Sequence, residues 1–124
     1  MSAHSPEELD QLFAEALNAG DLDALVALYE PQAVFVSEPG QTLTGTAAIR
    51  EVLSAFVSMK PKITMEVHTV GQLDNIALTS AKWEMAGTGP DGQPIEMRGH
   101  STEVCRRQAN GTWLFAIDDP GTLD

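Results

Sequence analysis

The sequence predicts an α+β fold in which three N-terminal helices pack on one face of an antiparallel sheet. Apolar residues repeat at helical spacing as far as Pro61, and beyond it they alternate with polar residues to the end of the chain. Helices followed by a run of strands are typical of domains with the helices gathered on one sheet face. With 124 residues the chain has room for one core, so we treat residues 1–124 as a single domain.

Capping residues and apolar stripes define the helices. Ser5 is a suitable N-cap for the first helix, Glu8 completes a capping box, and Gly20 ends that helix. Asp21 caps the second helix, which is predicted to continue through Tyr29 to Pro31. The third helix follows Gly45. The stripes are Leu9, Leu12, Phe13, Ala16 and Leu17; Leu22, Leu25, Val26 and Tyr29; and Ile49, Val52, Leu53, Phe56 and Val57.

Alternation and turn signals define the strands. A short strand at 33–37 precedes the Pro39-Gly40 turn, and longer strands are predicted at 63–67, 76–86, 95–107 and 112–118. The last strand carries Leu114 and Ala116 on one face and Trp113, Phe115 and Ile117 on the other. One face must pack on the helices, and the other would be wet unless a subunit covers it. We therefore expect a homodimer through the outer sheet face.

Composition excludes several classes of partner. Seven Lys and Arg residues against 18 Asp and Glu residues give a formal net charge of -11, which repels phosphate backbones and anionic lipid. Nucleic acid and membrane surfaces are therefore not expected partners. One cysteine, no apolar leader and no long apolar run indicate a cytoplasmic location. The three histidines lack metal-ligand spacing, so neither a metal nor a cofactor is expected.

The Asn110-Gly111 pair is the strongest hairpin signal, because both residues tolerate the positive φ of a type I′ turn. If these two residues are the whole loop, Ala109 pairs with Thr112. Counting outward from that pair places Glu103 directly opposite Asp118. Like charges directly opposed on neighbouring strands are unfavourable, which makes the pair a candidate site.

The direction in which this carboxylate pair faces decides its chemistry. On the concave face the acids would enter a pocket beside Trp83 and Met85. Burial and mutual repulsion would then raise a carboxyl pKa and keep one acid protonated near neutral pH, as acid–base chemistry requires. A bulged or longer loop would shift the register and leave both acids at a solvated rim. The residues alone leave the two arrangements open.

A family resemblance rests on the segment from Asn18 to Val36 with the Pro39-Gly40 turn and Gly45. Its order is helix, glycine stop, aspartate-capped helix, strand, turn and helix. That order resembles the cone-shaped NTF2-like (cystatin-like) fold, and the segment is similar to the SnoaL-like and ketosteroid isomerase-like branches of that superfamily. The resemblance implies a curved sheet around one deep apolar pocket. Phe13, Phe35, Phe56, Trp83 and Met85 would line such a pocket, although core packing would use the same side chains.

The resemblance also implies specific roles. Glu103 aligns with the oxyanion-hole aspartic acid of ketosteroid isomerases, and the positions of Ser101, Ala116 and Asp118 face the pocket in those enzymes. Tyr29 aligns with a tyrosine that supports their catalytic residues.

Two departures argue against authentic steroid isomerase activity. The oxyanion-hole tyrosine of the isomerases aligns with Phe13, which has no hydroxyl group to donate. Their catalytic base aligns with Ser37 or, after a one-residue shift, with Glu38. A base survives only if Glu38 turns inward.

Three functions fit these residues. The first is a cofactor-free isomerase, cyclase or lyase acting on a small apolar carbonyl compound, with Glu103, Asp118 and Glu38 as its catalytic groups. The second is a non-catalytic module that binds a small apolar molecule or dimerises. The third is a structural dimer whose cone is filled by side chains. The sequence favours a SnoaL-like small-molecule-binding protein, and it does not name the ligand.

Overall fold

A computed structural model of the protein describes residues 2–123, without the side chains of residues 69, 70, 122 and 123. Within this range the helices are α1 (Pro6–Ala19), α2 (Leu22–Val26) and α3 (Thr46–Ser58). The strands are β1 (Tyr29–Glu38), β2 (Gln41–Thr44), β3 (Lys62–Leu73), β4 (Ile76–Thr88), β5 (Pro94–Arg107), β6 (Trp113–Asp119) and β7 (Thr122–Leu123). None of the helices in residues 2–123 has the length and apolar character needed to cross a membrane.

The strands form one sheet in the order β2-β1-β6-β5-β4-β3, with β7 paired to β5. Strands β3 to β6 make the predicted antiparallel meander. Strand β1 joins it by a parallel pairing with β6, so the sheet is mixed rather than wholly antiparallel. Helix α1 packs on β3, β4 and β6, and α3 packs on β1 and β2. The α+β class with three helices on one sheet is confirmed.

The beginning and end of α1 are as predicted. The Glu8 N–H donates to Ser5 Oγ at 3.1 Å, and Gly20 adopts the left-handed conformation, with φ 70°, that ends the helix. The Glu8 carboxylate accepts a hydrogen bond from the His4 N–H at 2.8 Å. The second bond of the capping box is therefore made to the residue before the N-cap rather than to Ser5 itself. Local capping chemistry therefore fixes both ends of the helix that carries Phe13 into the core.

Helix α2 is shorter than predicted, and Tyr29 belongs to β1 instead. The cause is a tertiary hydrogen bond, because the Phe115 N–H of β6 donates to the Leu28 carbonyl at 2.8 Å. Pairing with β6 draws the backbone into the sheet before Pro31 can end a helix. Strand β2, which follows the Pro39-Gly40 turn, was not predicted either.

The core lies between the helices and the concave face of the sheet. The largest apolar side chains with less than 2% exposure come from every helix and from β5 and β6: Leu9, Leu25, Ile49, Leu53, Cys105 and Phe115. Phe115 also contacts two aromatic rings, with centroid distances of 6.2 Å to Phe13 and 5.1 Å to Tyr29. The central strand β6 therefore joins the packing of α1 to that of β1.

The β5–β6 hairpin reaches the predicted register at Glu103 by an unpredicted route. The Gln108 N–H donates to the Thr112 carbonyl at 2.7 Å, and Gly111 has φ 86°, so the loop holds three residues rather than two. The pairing near the loop is therefore one residue away from the predicted one.

A bulge in β6 restores the register. The pairs change from Cys105↔Phe115 to Val104↔Ile117, which leaves Ala116 as an extra residue, and Glu103 then lies opposite Asp118. The longer loop shifts the register by one residue, and the bulge at Ala116 shifts it back. The predicted Glu103–Asp118 pair is therefore confirmed, although the predicted Ala109–Thr112 pairing is wrong.

The same bulge changes which apolar residues face outward. Trp113, Phe115 and Ala116 are all buried, at 3%, 2% and 7% exposure, whereas Leu114 is half-buried and Ile117 is 41% exposed. Strict alternation had placed Trp113 and Phe115 on the same face as Ile117, and that grouping is wrong. The outer apolar surface is instead a row across four neighbouring strands: Val34, Ile117, Val104 and Leu78.

Asn18 ties α1 to the edge strand β3. Its side chain accepts from the Ile63 N–H at 2.7 Å and donates to the Ile63 carbonyl at 3.1 Å. These bonds occupy both backbone groups of Ile63, a residue that lines the pocket.

We expect Asn18→Ala to lower the free energy of unfolding by about 1–2 kcal/mol, because it leaves two part-buried backbone groups without partners. Urea denaturation measures the change. The control is Gln11→Ala on the exposed side of α1, which removes a polar side chain of similar size and should change stability by less than about 0.5 kcal/mol. Equal effects in the two variants would contradict a structural role for the Asn18 bridge.

Candidate functional site

A cavity of about 60 Å³ lies between the helices and the concave sheet face. Most of its walls are apolar, but three of its residues carry carboxyl groups. Among the described residues that form its walls there is no Lys, Arg or His side chain. The lining residues are Asp10, Phe13, Leu17, Phe35, Leu53, Phe56, Ile63, Met65, Trp83, Met85, Ser101, Glu103, Phe115, Asp118 and Pro120.

Eight residues expected at the site line this cavity: Phe13, Phe35, Phe56, Trp83, Met85, Ser101, Glu103 and Asp118. The positions of Trp83, Met85, Ser101 and Glu103 follow from strand parity, because the concave side chains of β4 and β5 have odd numbers throughout. The Trp83 Nε1–H donates to the Pro120 carbonyl at 2.8 Å, which fixes the chain after β6 as one wall. Ser101 Oγ is directed to the Ala81 carbonyl at 3.4 Å.

Two further candidates lie behind the wall rather than in it. Tyr29 is buried, and its hydroxyl donates to Asp118 Oδ2 at 2.5 Å. Ala116 is the buried extra residue of the β6 bulge and is absent from the lining. Tyr29 thus holds a lining carboxylate in place, and Ala116 affects the site only through the backbone.

The structure does not bring Ser37 or Glu38 to the cavity. Both side chains are exposed, and neither residue is part of the lining. The physical reason is a register shift between Val36 and Glu38 at the end of β1, which makes Ser37 an extra residue in the pairing with β2. The expectation that Glu38 supplies the base in the pocket is therefore corrected.

Glu103 and Asp118 face each other across β5 and β6 inside the cavity wall. Their exposures are 2% and 6%, so both carboxyl groups are removed from bulk water. The Thr79 hydroxyl donates to Glu103 Oε1 at 3.0 Å, as Tyr29 does to Asp118. Each acid thus has one neutral hydrogen-bond donor that holds its orientation.

Asp10 is a third buried acid, which the sequence analysis did not identify. It is 1% exposed and enters the cavity from α1. Its position gives a signal that could have found it, since Asp10, Phe13 and Leu17 follow the i, i+3, i+7 spacing of one helix face. A charged residue in line with an apolar stripe indicates either a solvated edge of that stripe or a buried functional acid.

The Asp10 and Glu103 carboxyl groups line the same cavity and lie within reach of a hydrogen bond to each other. Asp10 Oδ2 and Glu103 Oε2 are the buried side-chain oxygens in the described residues that have no conventional donor. Two ionised carboxylates cannot hydrogen bond, because neither carries a hydrogen atom. The contact therefore requires a proton on one of the two acids.

Desolvation dominates the electrostatics of the cluster. Burial raises the pKa of both Asp10 and Glu103, and the negative charge of Asp10 raises the pKa of Glu103 further. Burial, followed by the charge of Glu103, raises the pKa of Asp118 to about 7, although the bond from Tyr29 opposes that rise. Near neutral pH the cluster therefore holds protons that exposed carboxylates would have lost.

Two further titratable side chains beside the acids, Tyr29 and Cys105, keep their protons at neutral pH. Burial raises the pKa of Tyr29 well above its ordinary value, so its hydroxyl remains a donor. Burial also raises the pKa of Cys105 to about 12, which makes a thiolate nucleophile unavailable at neutral pH. Among the described residues, no group of three or more His, Cys, Asp and Glu side chains has a metal-binding arrangement.

The opening of the cavity lies between α1, α3 and β3. The lining residues Phe13, Phe56 and Met65 are half-buried, whereas the acids are fully buried. An apolar cavity that binds benzene has a volume of about 150 Å³, so a cavity of about 60 Å³ holds only a smaller group. A ring-sized ligand would require these three side chains to move, and each is on a different element.

Comparison with protein families gives a match to the SnoaL-like domain over residues 9–114. That range contains most of α1, the first two residues of β6 and twelve of the fifteen lining residues, whereas Phe115, Asp118 and Pro120 lie beyond it. The match exceeds half of the chain and thus shows the family.

Comparison with solved structures gives the same fold. A ketosteroid isomerase-like protein from Erwinia carotovora atroseptica has a TM-score of 0.83 at 18% identity, covering 95% of this chain and 93% of that chain. A protein from Streptomyces avermitilis, provisionally named a dehydratase of the NTF2-like family, has a TM-score of 0.75 at 17% identity, covering 90% and 89%. One from Novosphingobium aromaticivorans, provisionally named a scytalone dehydratase, has a TM-score of 0.83 at 13% identity, covering 95% and 81%. At these identities the likeness shows the fold alone, and the NTF2-like fold is confirmed.

We expect the free energy of unfolding to fall as pH rises from about 5 to 8. The raised carboxyl pKa values mean that the folded protein binds more protons than the unfolded chain in this window. Stability is therefore highest at the acidic end and is lost as pH rises through the folded pKa values. Each such proton contributes a slope of up to about 1.4 kcal/mol per pH unit. Urea denaturation across this range measures the slope.

The variant Asp118→Asn should flatten the pH dependence, because it removes one of these protons. The exposed acid Glu84 on β4 offers a matched control, and Glu84→Gln should leave the slope unchanged. A wild-type stability that rises between pH 5 and 8 would contradict the protonated cluster.

Proposed function

We propose that this chain, which belongs to the SnoaL-like domain family, binds a small apolar carbonyl compound in its cavity and exchanges protons with it. The observation that carries the proposal is the pair of opposed acids, Glu103 and Asp118, buried in an otherwise apolar wall. An apolar cavity with a few convergent polar groups is the usual form of a small-molecule site.

The two acids would have complementary roles. Protonated Glu103 donates a hydrogen bond to the carbonyl oxygen of the ligand, and ionised Asp118 accepts a proton from the carbon next to that carbonyl. The electron pair of the broken C–H bond moves into the new C=C bond, and the carbonyl oxygen takes the proton of Glu103 to give an enol. In an isomerisation, protonated Asp118 gives its proton to another carbon while the enol hydroxyl returns its proton to Glu103 and the carbonyl forms again. In an elimination, the leaving group departs with the proton of Asp118, and the enol hydroxyl likewise returns its proton to Glu103.

The geometry of the site supports these roles for Glu103 and Asp118. Directly opposed residues on antiparallel strands have Cβ atoms about 5 Å apart, so one small ligand can contact both carboxyl groups. The pKa of Asp118, raised to about 7, suits a group that must accept and return a proton near neutral pH. The bond from Tyr29 holds the carboxylate in one orientation during that exchange.

Names among the structural neighbours agree with this reaction class. One is called ketosteroid isomerase-like, and two are provisionally called dehydratases. Isomerisation and dehydration of carbonyl compounds both begin with proton removal beside a carbonyl group. The steroid isomerase set itself is not proposed, because Phe13 lacks the hydroxyl group and Glu38 lies outside the cavity.

A non-catalytic small-molecule receptor is the second candidate. The observation that favours it is the absence of Ser37 and Glu38 from the lining, which leaves no acid on the β1 side of the cavity among the residues described. In that case the buried acids would only hydrogen bond to a polar group of the ligand. The two candidates differ in whether the bound molecule is changed.

We expect Glu103→Gln to slow deuterium exchange at the carbon beside the carbonyl of a bound cyclic ketone by about 10²-fold or more, because glutamine cannot supply the proton. Trp83 fluorescence measures binding of planar ketones and phenols, and proton NMR in D₂O measures the exchange. Glu84→Gln is the matched control and should exchange at the wild-type rate. Binding without exchange in the wild type would contradict the catalytic proposal and support the receptor. No binding of ketone or phenol at any pH would contradict both.

We also propose a homodimer through the outer sheet face. An apolar row crosses β1, β6, β5 and β4 on this face and consists of Val34, Ile117, Val104 and Leu78. The side chains of Ile117 and Leu78 are exposed to 41% and 40%. Ile76, at 47% exposure, extends the row along β4. An exposed apolar row of this kind can pack against the same row of a second copy in a two-fold interface.

A charge placed in the middle of this row should dissociate the dimer. We expect Ile117→Lys to sediment as a monomer at concentrations where the wild type is dimeric, because two copies would bury unpaired ammonium groups. Analytical ultracentrifugation measures the change. The control is Thr64→Lys, which puts the same charge on an exposed position of β3 and should remain dimeric. A monomeric wild type would overturn the proposal.

A further inference from the structure

Asp10 is the buried acid to which neither the sequence pattern nor the proposed reaction assigns a task. It occupies the same face of α1 as Phe13, one helical turn earlier. The side chain is 1% exposed, and it reaches the Glu103 carboxyl group. Burying an ionised carboxylate this far from water costs free energy unless a cation or hydrogen-bond donors compensate its charge.

Compensation by a cation is excluded within the described lining, since that lining contains no Lys, Arg or His. Compensation by ordinary donors is also incomplete, because Asp10 Oδ2 and Glu103 Oε2 lack a conventional partner. Both atoms belong to neighbouring carboxyl groups in the wall of one cavity. A single proton between the carboxyl groups would satisfy both oxygens at once.

We propose that Asp10 and Glu103 form a carboxylic acid–carboxylate pair that shares one proton, and that Asp10 is the positioning residue which keeps Glu103 protonated. In the ligand-free site the proton lies between the two acids. When a ligand binds, Glu103 turns this O–H from Asp10 to the carbonyl oxygen and so supplies the hydrogen atom that the site lacks at Phe13. The existence of the pair does not depend on the proposed function, whereas its use in donating a hydrogen bond to a ligand rests on that function.

The groups around the pair favour retention of the proton. Asp118 faces Glu103 from β6, Glu7 lies near Asp10 on α1, and both add negative charge. Tyr29 and Cys105 are neutral at ordinary pH because burial raises their pKa values. The hydroxyl groups of Thr79 on β4 and Ser101 on β5 oppose the rise in the pKa of Glu103, and Thr79 donates to the other oxygen of that carboxyl group. Their effect is smaller than that of burial and of the Asp10 charge. Negative and neutral neighbours alone disfavour a second ionised carboxylate in the pair.

Asp10 acts on Glu103 in a way that a substitution can reverse. While Asp10 is ionised, loss of the Glu103 proton would put two charges in contact, so Glu103 keeps its proton to higher pH. Asparagine in place of Asp10 removes that charge and offers an N–H donor that stabilises ionised Glu103. The change therefore lowers the pH at which Glu103 loses its proton, and it does so without altering the size of the side chain.

The test is a titration of the side-chain carboxyl carbons by NMR in ligand-free protein. In the wild type we expect the Glu103 carbon to report a protonated acid at pH 7. In Asp10→Asn the midpoint of its titration should fall by at least about one pH unit, and in Asp10→Glu, which retains a carboxyl group, it should return toward the wild-type value. The control is Glu15→Gln, which removes the same charge from the exposed face of α1 and should leave the midpoint where it is.

Two results would overturn the inference. One is a wild-type Glu103 carbon that is fully ionised at pH 7, which needs no variant and so decides the question even if Asp10→Asn does not fold. The other is an unchanged midpoint in a folded Asp10→Asn. Failure of the proposed function gives a different pattern, namely a shared proton in the ligand-free protein without ketone binding.

Discussion

Desolvation of three carboxyl groups in one apolar cavity is the constraint on which the site depends. Asp10, Glu103 and Asp118 come from α1, β5 and β6, and no cation among the described lining residues balances them. Water cannot solvate their charges there, so protonation and hydrogen bonds from Thr79 and Tyr29 must compensate. The protons in the cavity follow from burial and would be absent from the same acids on a surface.

The fold supplies this arrangement through β6. Its parallel pairing with β1 places Tyr29 behind Asp118, and its antiparallel pairing with β5 places Glu103 in front. The bulge at Ala116 sets the register of both contacts and turns Phe115 inward to the rings of Phe13 and Tyr29. Strand β6 also exposes Ile117 to the proposed dimer interface. One strand thus connects the apolar core, the acid cluster and the outer face.

Local signals in the sequence predict the parts of the fold that local chemistry decides. The cap at Ser5, the stop at Gly20 and the alternation of β4 and β5 are confirmed, and the alternation alone places Trp83, Met85, Ser101 and Glu103 in the wall. The misses have tertiary causes. Pairing with β6 shortens α2, a bulge turns Glu38 outward, and another bulge separates the face of Ile117 from that of Phe115. The Glu103–Asp118 pair was predicted correctly because the loop and the bulge shift the register in opposite directions.

Asp10 shows why the chemistry of this site is harder to predict than its walls. On α1 it reads as one polar residue beside an apolar stripe, and only contact with Glu103 from a strand about 90 residues later makes it part of a proton-sharing pair. Such a pair lowers stability, since apolar residues of similar volume would bury without a desolvation cost. Proteins commonly accept that cost where a site needs perturbed acids, and a packing function alone would not require three of them. The three buried acids therefore support the proposal that the cavity exchanges protons with a ligand over the alternative of a filled core.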